Sequence, residues 1–170
     1  ENYQVFPLIG VTGASGTTLV TRLLFHFLKQ SGLHVGLSNS EGVRVNDRAL
    51  PVNVSSSWSN TQRLLLNCQL EAAVVENDGM QLLTQGLDYN RCLVGIVTDI
   101  TFSEAFKDPA VEHHNFKTAQ DLIKVYRTQI DVVYTTGTGV LNADDSIVAA
   151  FAEYCDGSLT YFSQPPDSTL

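Results

Sequence analysis

Positive charge is scarce in this chain of 170 residues: 10 lysines and arginines face 18 aspartates and glutamates, for a formal net charge of −8. Nucleic acids and anionic membrane surfaces both reward basic patches, so this balance argues against either as a partner. Long apolar runs are also missing. None approaches the roughly 20 residues needed to cross a bilayer, and the opening Glu1-Asn2-Tyr3-Gln4 does not read as a signal peptide. Both features set the expectation of a cytoplasmic protein. Cysteine is sparse: Cys68, Cys92 and Cys155 are far apart, odd in number and without metal-ligand spacing. That suits buried apolar positions in a reducing cytoplasm better than a disulfide framework. His113 and His114 are adjacent, face different directions and lack a third ligand at a telling spacing, so a solvated loop is expected there rather than zinc. Ser15 and Ser103 have no evident base partner, which leaves serine-nucleophile chemistry unsupported. No catalytic residue is assigned.

What remains is ordinary globular composition, 44% hydrophobic and 16% charged, in a length that suits one domain with a real core. Residues 1–163 are expected to form that domain, with 164–170 as a tail or linker. Strand-length apolar runs at 5–11, 34–37, 72–76, 93–98, 131–134, 140–141 and 159–162 alternate with helix-period stretches at 17–30, 58–67, 118–129 and 144–154. Asn46-Asp47 between Val45 and Leu50 suggests a small hairpin, and Gly32 a helix stop. Ser57 suits an N-cap, and Thr135-Thr136-Gly137-Thr138-Gly139 reads as a turn. The alternation predicts an α/β fold of three layers: a mainly parallel sheet with helices on both faces. Ligands of such sheets sit beyond the carboxyl ends of strands. Attention therefore falls on residues 12–18, 38–41, 76–79, 98–104 and 142–145.

The first of these is the most informative. Leu8-Ile9-Gly10-Val11-Thr12-Gly13-Ala14-Ser15-Gly16-Thr17-Thr18 has the layout of a P-loop: apolar strand, glycine turn, start of a helix. Successive backbone amides can converge on an anion there, at the positive end of the helix dipole. The Walker pattern then requires Gly-Lys-[Ser/Thr], with the lysine on the β/γ-phosphates and the hydroxyl on magnesium. Here Gly16 is followed by Thr17 and Thr18, so the hydroxyl is kept and the cation is not. Glu76 ends an apolar strand at the same edge and reads either as a metal-facing carboxylate or as a cap or ion-pair partner. Asp99 reads equally as an oxygen ligand for magnesium or as a hydrogen-bonded turn aspartate.

With those strand ends aligned, the chain resembles the central, ATP-binding domain of the Mur ligase family, in the form found within cyanophycin synthetases. The segment 10–18 looks like that family's Gly-Val-Thr-Gly-Thr-Asn-Gly-Lys-Thr loop, and Ser40-Glu41-Gly42-Val43 is similar to its Thr-Asp-Gly-Val. Ala73-Val74-Val75-Glu76 matches Ala-Val-Leu-Glu, and Gly86-Leu87-Asp88-Tyr89-Asn90-Arg91-Cys92 matches Gly-Leu-Gly-Phe-Asp-Arg-Cys. Val140-Leu141-Asn142-Ala143-Asp144-Asp145 is nearly unchanged, and Tyr161-Phe162-Ser163 closes the likeness.

The resemblance implies a domain that holds ATP and Mg2+ while a carboxylate is activated as an acyl phosphate and joined to an amine. It implies nucleotide binding by Gly13, Ala14, Ser15, Gly16, Thr17, Thr18, Asn142 and Asp145, and metal binding by Thr18, Glu76 and Asp99. It also implies further domains of a larger ligase-like protein, or a homo-oligomer, as partners. Four departures fall in the catalytic layer. The loop lysine is Thr17, and the family's Asp-His pair is Ser103-Glu104. The carbamylated lysine of many members falls at Tyr126, with Lys124 on roughly the opposite side of the helix, and the family's arginine-bearing turn after the strand reads Glu76-Asn77-Asp78-Gly79-Met80, without the arginine. Removing one preorganised donor to a transition-state charge costs about 2.7–4 kcal/mol. Several losses on one charge do not add simply, yet together they imply a rate lower by powers of ten and ATP and Mg2+ binding that is weak or lost. Two alternatives stand beside this impaired ligase. One is a working ligase that borrows a cation such as Arg44 or Arg91; the other is a non-catalytic scaffold whose nucleotide pocket is filled, with Phe102 and Tyr126 as candidates to fill it.

Overall fold

The computed structural model describes residues 6–51, 57–100 and 119–164. Expectations for Val5, Phe102, Ser103, Glu104, His113, His114 and 165–170 lie outside the described residues. In chain order the elements are β1 (Leu8–Thr12), α1 (Thr17–Gln30), β2 (Val35–Asn39), β3 (Gly42–Val45), β4 (Arg48–Ala49), α2 (Ser57–Leu65) and β5 (Ala72–Asn77). There follow α3 (Gly79–Gln85), β6 (Cys92–Val97), α4 (Ala119–Asp131), β7 (Val133–Asn142), α5 (Ser146–Ala149), a 3-10 turn at Ala150–Tyr154, and β8 (Ser158–Phe162). The eight strands form one sheet in the order β4-β3-β2-β5-β1-β6-β7-β8. All neighbours from β2 to β8 are parallel, and β3 and β4 are added antiparallel through a hairpin whose turn places Asn46 at φ 47°. This is the three-layer α/β arrangement expected from the alternation of elements.

The layers follow from strand periodicity. On β5, Ala72 and Val74 join Val11, Phe25, Val35 and Leu37 beneath α1, whereas Ala73 and Val75 join Leu8, Leu64 and Tyr89 on the opposite face. Both faces of β5 are covered, which is why its sequence is an unbroken apolar run rather than an alternating one. A third cluster packs α4 and the chain after β7 against β6, with Tyr126, Ile130, Leu141 and Phe151 at its centre. No described helix is long and apolar enough to cross a membrane.

Several local expectations are corrected. The Thr135–Gly139 stretch is part of β7 rather than a turn. Cys92 pairs with Val133 and Val94 with Thr138, so extra residues are absorbed as a bulge inside a parallel pair. A Cβ on Gly137 would meet the Leu93 carbonyl at 2.4 Å, which shows that the glycine serves close backbone approach. The segment after Glu76, read as a turn, starts α3: Asp78 caps it by accepting from the amides of Met80 and Gln81. The last helix begins at Ser146 with Asp145 as its cap, then tightens to 3-10. Ser57 is itself helical, within α2, rather than a cap outside the helix. Of the cysteines, Cys92 is buried, Cys155 half-buried and Cys68 exposed, so the expectation of burial fails for Cys68.

One buried carboxylate outside the strand-end site makes the fold pH-sensitive. Asp88 is 4% exposed. Burial pushes its carboxyl from the ordinary 3.8 up to about 6, and bonds from Thr61 and Gln81 offset this only in part. The folded chain thus holds this proton more tightly than the unfolded one, and stability declines as pH rises from about 4 through 6. Asp88→Asn keeps the shape and removes the charge. It should raise stability by about 1–2 kcal/mol at pH 7.5, after allowance for solvent screening, and leave it nearly unchanged at pH 4. Urea titrations at the two pH values check this; an equal effect at both would overturn the assignment.

Candidate functional site

Registers bring the carboxyl ends of the central strands level. Thr12 of β1 lies opposite both Asn77 of β5 and Val97 of β6, so Gly13, Asp78 and Thr98 emerge side by side. The loop from Gly13 turns into α1 through Gly16, whose φ of 72° is a left-handed conformation that glycine tolerates at no steric cost. Gly16, the N-cap, has no side chain to cap this helix, so its first amides are left for other acceptors.

Two carboxylates supply acceptors here. Glu76 receives three neutral donors: Thr17 Oγ1 at 2.6 Å and Thr18 Oγ1 at 2.7 Å, both to Oε1, and the Ser40 amide at 2.8 Å to Oε2. Since Thr18 spends its proton on Glu76, the 2.8 Å contact between Ser40 Oγ and Thr18 Oγ1 is a donation from Ser40. Thr17 therefore directs a hydroxyl at the carboxylate from the position where a loop cation would stand.

Asp99 lies against the loop itself. Its Oδ1 accepts from the amides of Ala14 and Ser15 at 2.9 and 3.0 Å and from Thr98 Oγ1 at 2.8 Å, and its Oδ2 accepts from Ser15 Oγ at 2.8 Å. The fit is close: a Cβ on Gly13 would stand 1.8 Å from Thr98 Oγ1 and 2.8 Å from Asp99 Oδ1. Burial alone would raise the Asp99 carboxyl, but the bonds from Thr98, Ser15 and Ala14 outweigh it and hold the group below its ordinary value.

A buried polar network underpins this edge. Gln129 of α4 is fully buried and its Oε1 accepts from Thr12 Oγ1 (3.2 Å), Asn77 Nδ2 (2.8 Å) and the Tyr89 hydroxyl (2.8 Å). Asn77 Nδ2 also donates to the Tyr89 oxygen at 2.7 Å. Thr12 and Asn77 are the last residues of β1 and β5, so a single amide ties both strand ends just below the loop. Gly10 is glycine for the same reason, because a Cβ there would lie 2.0 Å from the Tyr89 hydroxyl.

No family model matches the chain. It is similar to a cyanophycin synthetase of Crocosphaera subtropica, 31% identical over 173 residues, with 100% of this chain and 19% of that protein covered. A UDP-N-acetylmuramoyl-L-alanyl-D-glutamate–2,6-diaminopimelate ligase of Lactiplantibacillus plantarum is 27% identical over 173 residues, covering 98% of this chain and 34% of that protein. Among solved structures, one of a ligase of that same name superposes with a TM-score of 0.75 over 96% of this chain and 33% of the other, at 13% identity. The chain is a Mur ligase-like domain. It spans about a fifth of the length of the cyanophycin synthetase it matches.

In this Mur ligase-like domain the residues picked out from sequence divide into two groups. Gly13, Ala14, Ser15, Gly16, Thr17, Thr18, Glu76 and Asp99 come together at the head of α1. Asn142 and Asp145 instead brace the end of β6: Asn142 Nδ2 donates to the Thr98 carbonyl at 2.8 Å, and Asp145 Oδ2 accepts from the Ile100 amide at 3.3 Å while Oδ1 caps α5. Neither arginine offered as a substitute cation reaches the loop. Arg91 donates to the Val133 carbonyl and pairs with Asp156 at 3.6 Å, at the amino end of β6. Arg44 lies on β3, separated from β1 by two strands. Tyr126 is buried in the α4 core, and burial with the charges of Asp78 and Asp99 pushes its phenol up to about 12. Lys124 is well exposed and pairs with Asp121 at 3.7 Å on the outer side of the helix.

The Mur ligase-like domain keeps a backbone suited to a phosphate, since two of its amides already converge on one anionic oxygen. Glu76 and the Thr18 hydroxyl are hard oxygen donors of the kind Mg2+ takes. Among the described residues no three His, Cys, Asp or Glu side chains gather into a metal cluster. Sequence reasoning missed the Gln129 network and the contribution of Ser40. A buried glutamine inside a helical apolar stripe was the one available signal for the former.

Proposed function

We propose that this domain is the nucleotide-holding part of an ATP-dependent acid–amino acid ligase whose own ligase activity is lost or severely reduced. The carrying observation is Thr17, which stands in the lysine position and donates a hydroxyl to Glu76 where the reaction would use a full positive charge. In this reading the amides of Ala14 and Ser15 and the Ser15 hydroxyl hold phosphate oxygens. Thr18 and Glu76 hold Mg2+, with Asp99 as a further oxygen donor, and Asn142 and Asp145 border the adenosine. ATP, when bound, supplies the phosphoryl group that turns a carboxylate into an acylating agent. Glu76 would orient Thr18 toward the metal, and among the described residues no cation stands at the loop to balance charge that builds on the transferred group.

The partners implied are other domains of a larger protein, because the chain matches only 19% of the cyanophycin synthetase. Residues 1–163 are the domain unit in this reading, with 164–170 as tail or linker. The second reading, a scaffold with a filled pocket, draws on the Asp99 carboxylate lying in the loop. Two measurements test the proposal: calorimetric titration with ATP and Mg2+, and an amide-formation assay with an acidic peptide and free amino acids. Weak binding and no turnover above background are expected. Brisk ATP-dependent amide formation would defeat it.

A further inference from the structure

The cradle at the head of α1 already holds an anion. Among the described residues four donors meet the Asp99 carboxylate, two of them loop amides, and all lie between 2.8 and 3.0 Å. This is the coordination a phosphate oxygen would take from the same loop. The contact joins residues 84 and 85 positions apart in sequence, so it is a product of the fold and not a local turn. Its geometry excludes a shared occupancy. The Ala14 and Ser15 amides each offer one proton, Oδ1 takes both, and the Gly13 surface is so close to Thr98 and Asp99 that not even a methyl group fits between them. A phosphate and this carboxylate would in addition repel each other at contact distance.

We propose that Asp99 is an internal plug of the phosphate cradle, an autoinhibitory contact that an incoming phosphate group has to displace. The inference rests on reading the loop as a nucleotide cradle, and it adds that the cradle is closed by the chain's own carboxylate, while Tyr126 lies in the α4 core. It also separates two roles for Asp99. A metal ligand would strengthen nucleotide binding, whereas a plug weakens the binding of any phosphate, with or without metal.

The test uses pyrophosphate without divalent cation as the probe, titrated calorimetrically into the full chain and into Asp99→Ala and Asp99→Asn at fixed ionic strength. Asp99→Ala removes the plug; Asp99→Asn keeps the shape and an acceptor oxygen but loses the charge, and it guards against a folding defect in the alanine variant. Both should bind pyrophosphate at least about tenfold more tightly than the parent chain, a change of about 1.4 kcal/mol, with alanine giving the larger gain. Equal affinity in all three chains overturns the plug while leaving the cradle intact, and weaker binding in the variants overturns it in favour of a ligand role. Failure of every chain to bind overturns both the plug and the nucleotide reading. Amide chemical shifts of Ala14 and Ser15 that move with pyrophosphate only in the variants would add direct support.

Discussion

Gln129→Leu is expected to cost about 3–5 kcal/mol of folding free energy, a large part of the roughly 5–15 kcal/mol available to a domain. Gln129 is fully buried, and its Oε1 is the shared acceptor for Thr12, Asn77 and Tyr89. Leucine fills a similar volume but accepts nothing, so it strands donors with no access to water. Each stranded donor costs about 1–3 kcal/mol. The total stays below a simple sum because Asn77 still donates to the Tyr89 oxygen at 2.7 Å. The damage would reach the functional edge, since Thr12 directly precedes Gly13 and Asn77 directly follows Glu76. Urea denaturation should show a large fall in midpoint with little change in slope. A loss under about 1 kcal/mol would mean that the network carries little weight.

Thr17→Lys should have the largest effect on binding. Thr17 is 8% exposed and its hydroxyl lies 2.6 Å from Glu76 Oε1. A lysine there exchanges a neutral hydroxyl donor for a cationic one and places an ammonium beside the loop amides. A hydrogen bond to a charged group is worth about 1.5–3 kcal/mol, so affinity for Mg-ATP should rise by about ten- to a hundredfold at low salt. Calorimetry with Mg-ATP measures it. No gain in the lysine variant would indicate that the cradle does not admit nucleotide, and an already tight parent chain would indicate that the cation was never the missing part. The two substitutions at 17 and 99 face one loop, so their effects are not expected to add.

Local sequence made the interior of the sheet legible. Ala72–Asn77 and Cys92–Val97 are near-continuous apolar runs because both faces of these strands are covered. Helix α1 was readable to its ends: the glycine turn precedes it, and Gly32 follows at φ 90°. Where residue type and role part company, reading failed. Thr135–Gly139 has the composition of a turn, yet it lies within β7, where Thr138 and Gly139 pair with β6 and β8 and the residues before them form the bulge. Asp78-Gly79 reads as a turn and is the start of a seven-residue helix. In the first case propensity, worth about tenths of a kcal/mol per residue, is overridden by tertiary pairing; in the second the aspartate serves as a helix cap instead of a turn residue.

The order of residues alone determined the α/β class, the glycine loop at the end of β1 and the exchange of lysine for threonine within it. These are local facts, written in periodicity and in residue identity. Only the tertiary structure decided that Thr17 and Thr18 share Glu76, that one glutamine on α4 ties two strand ends together, and that Asp99 reaches back across 84 positions to fill the loop. Each of these depends on strands β5, β1 and β6 lying side by side, and that neighbourhood arises from burying apolar faces, which no short stretch of sequence contains.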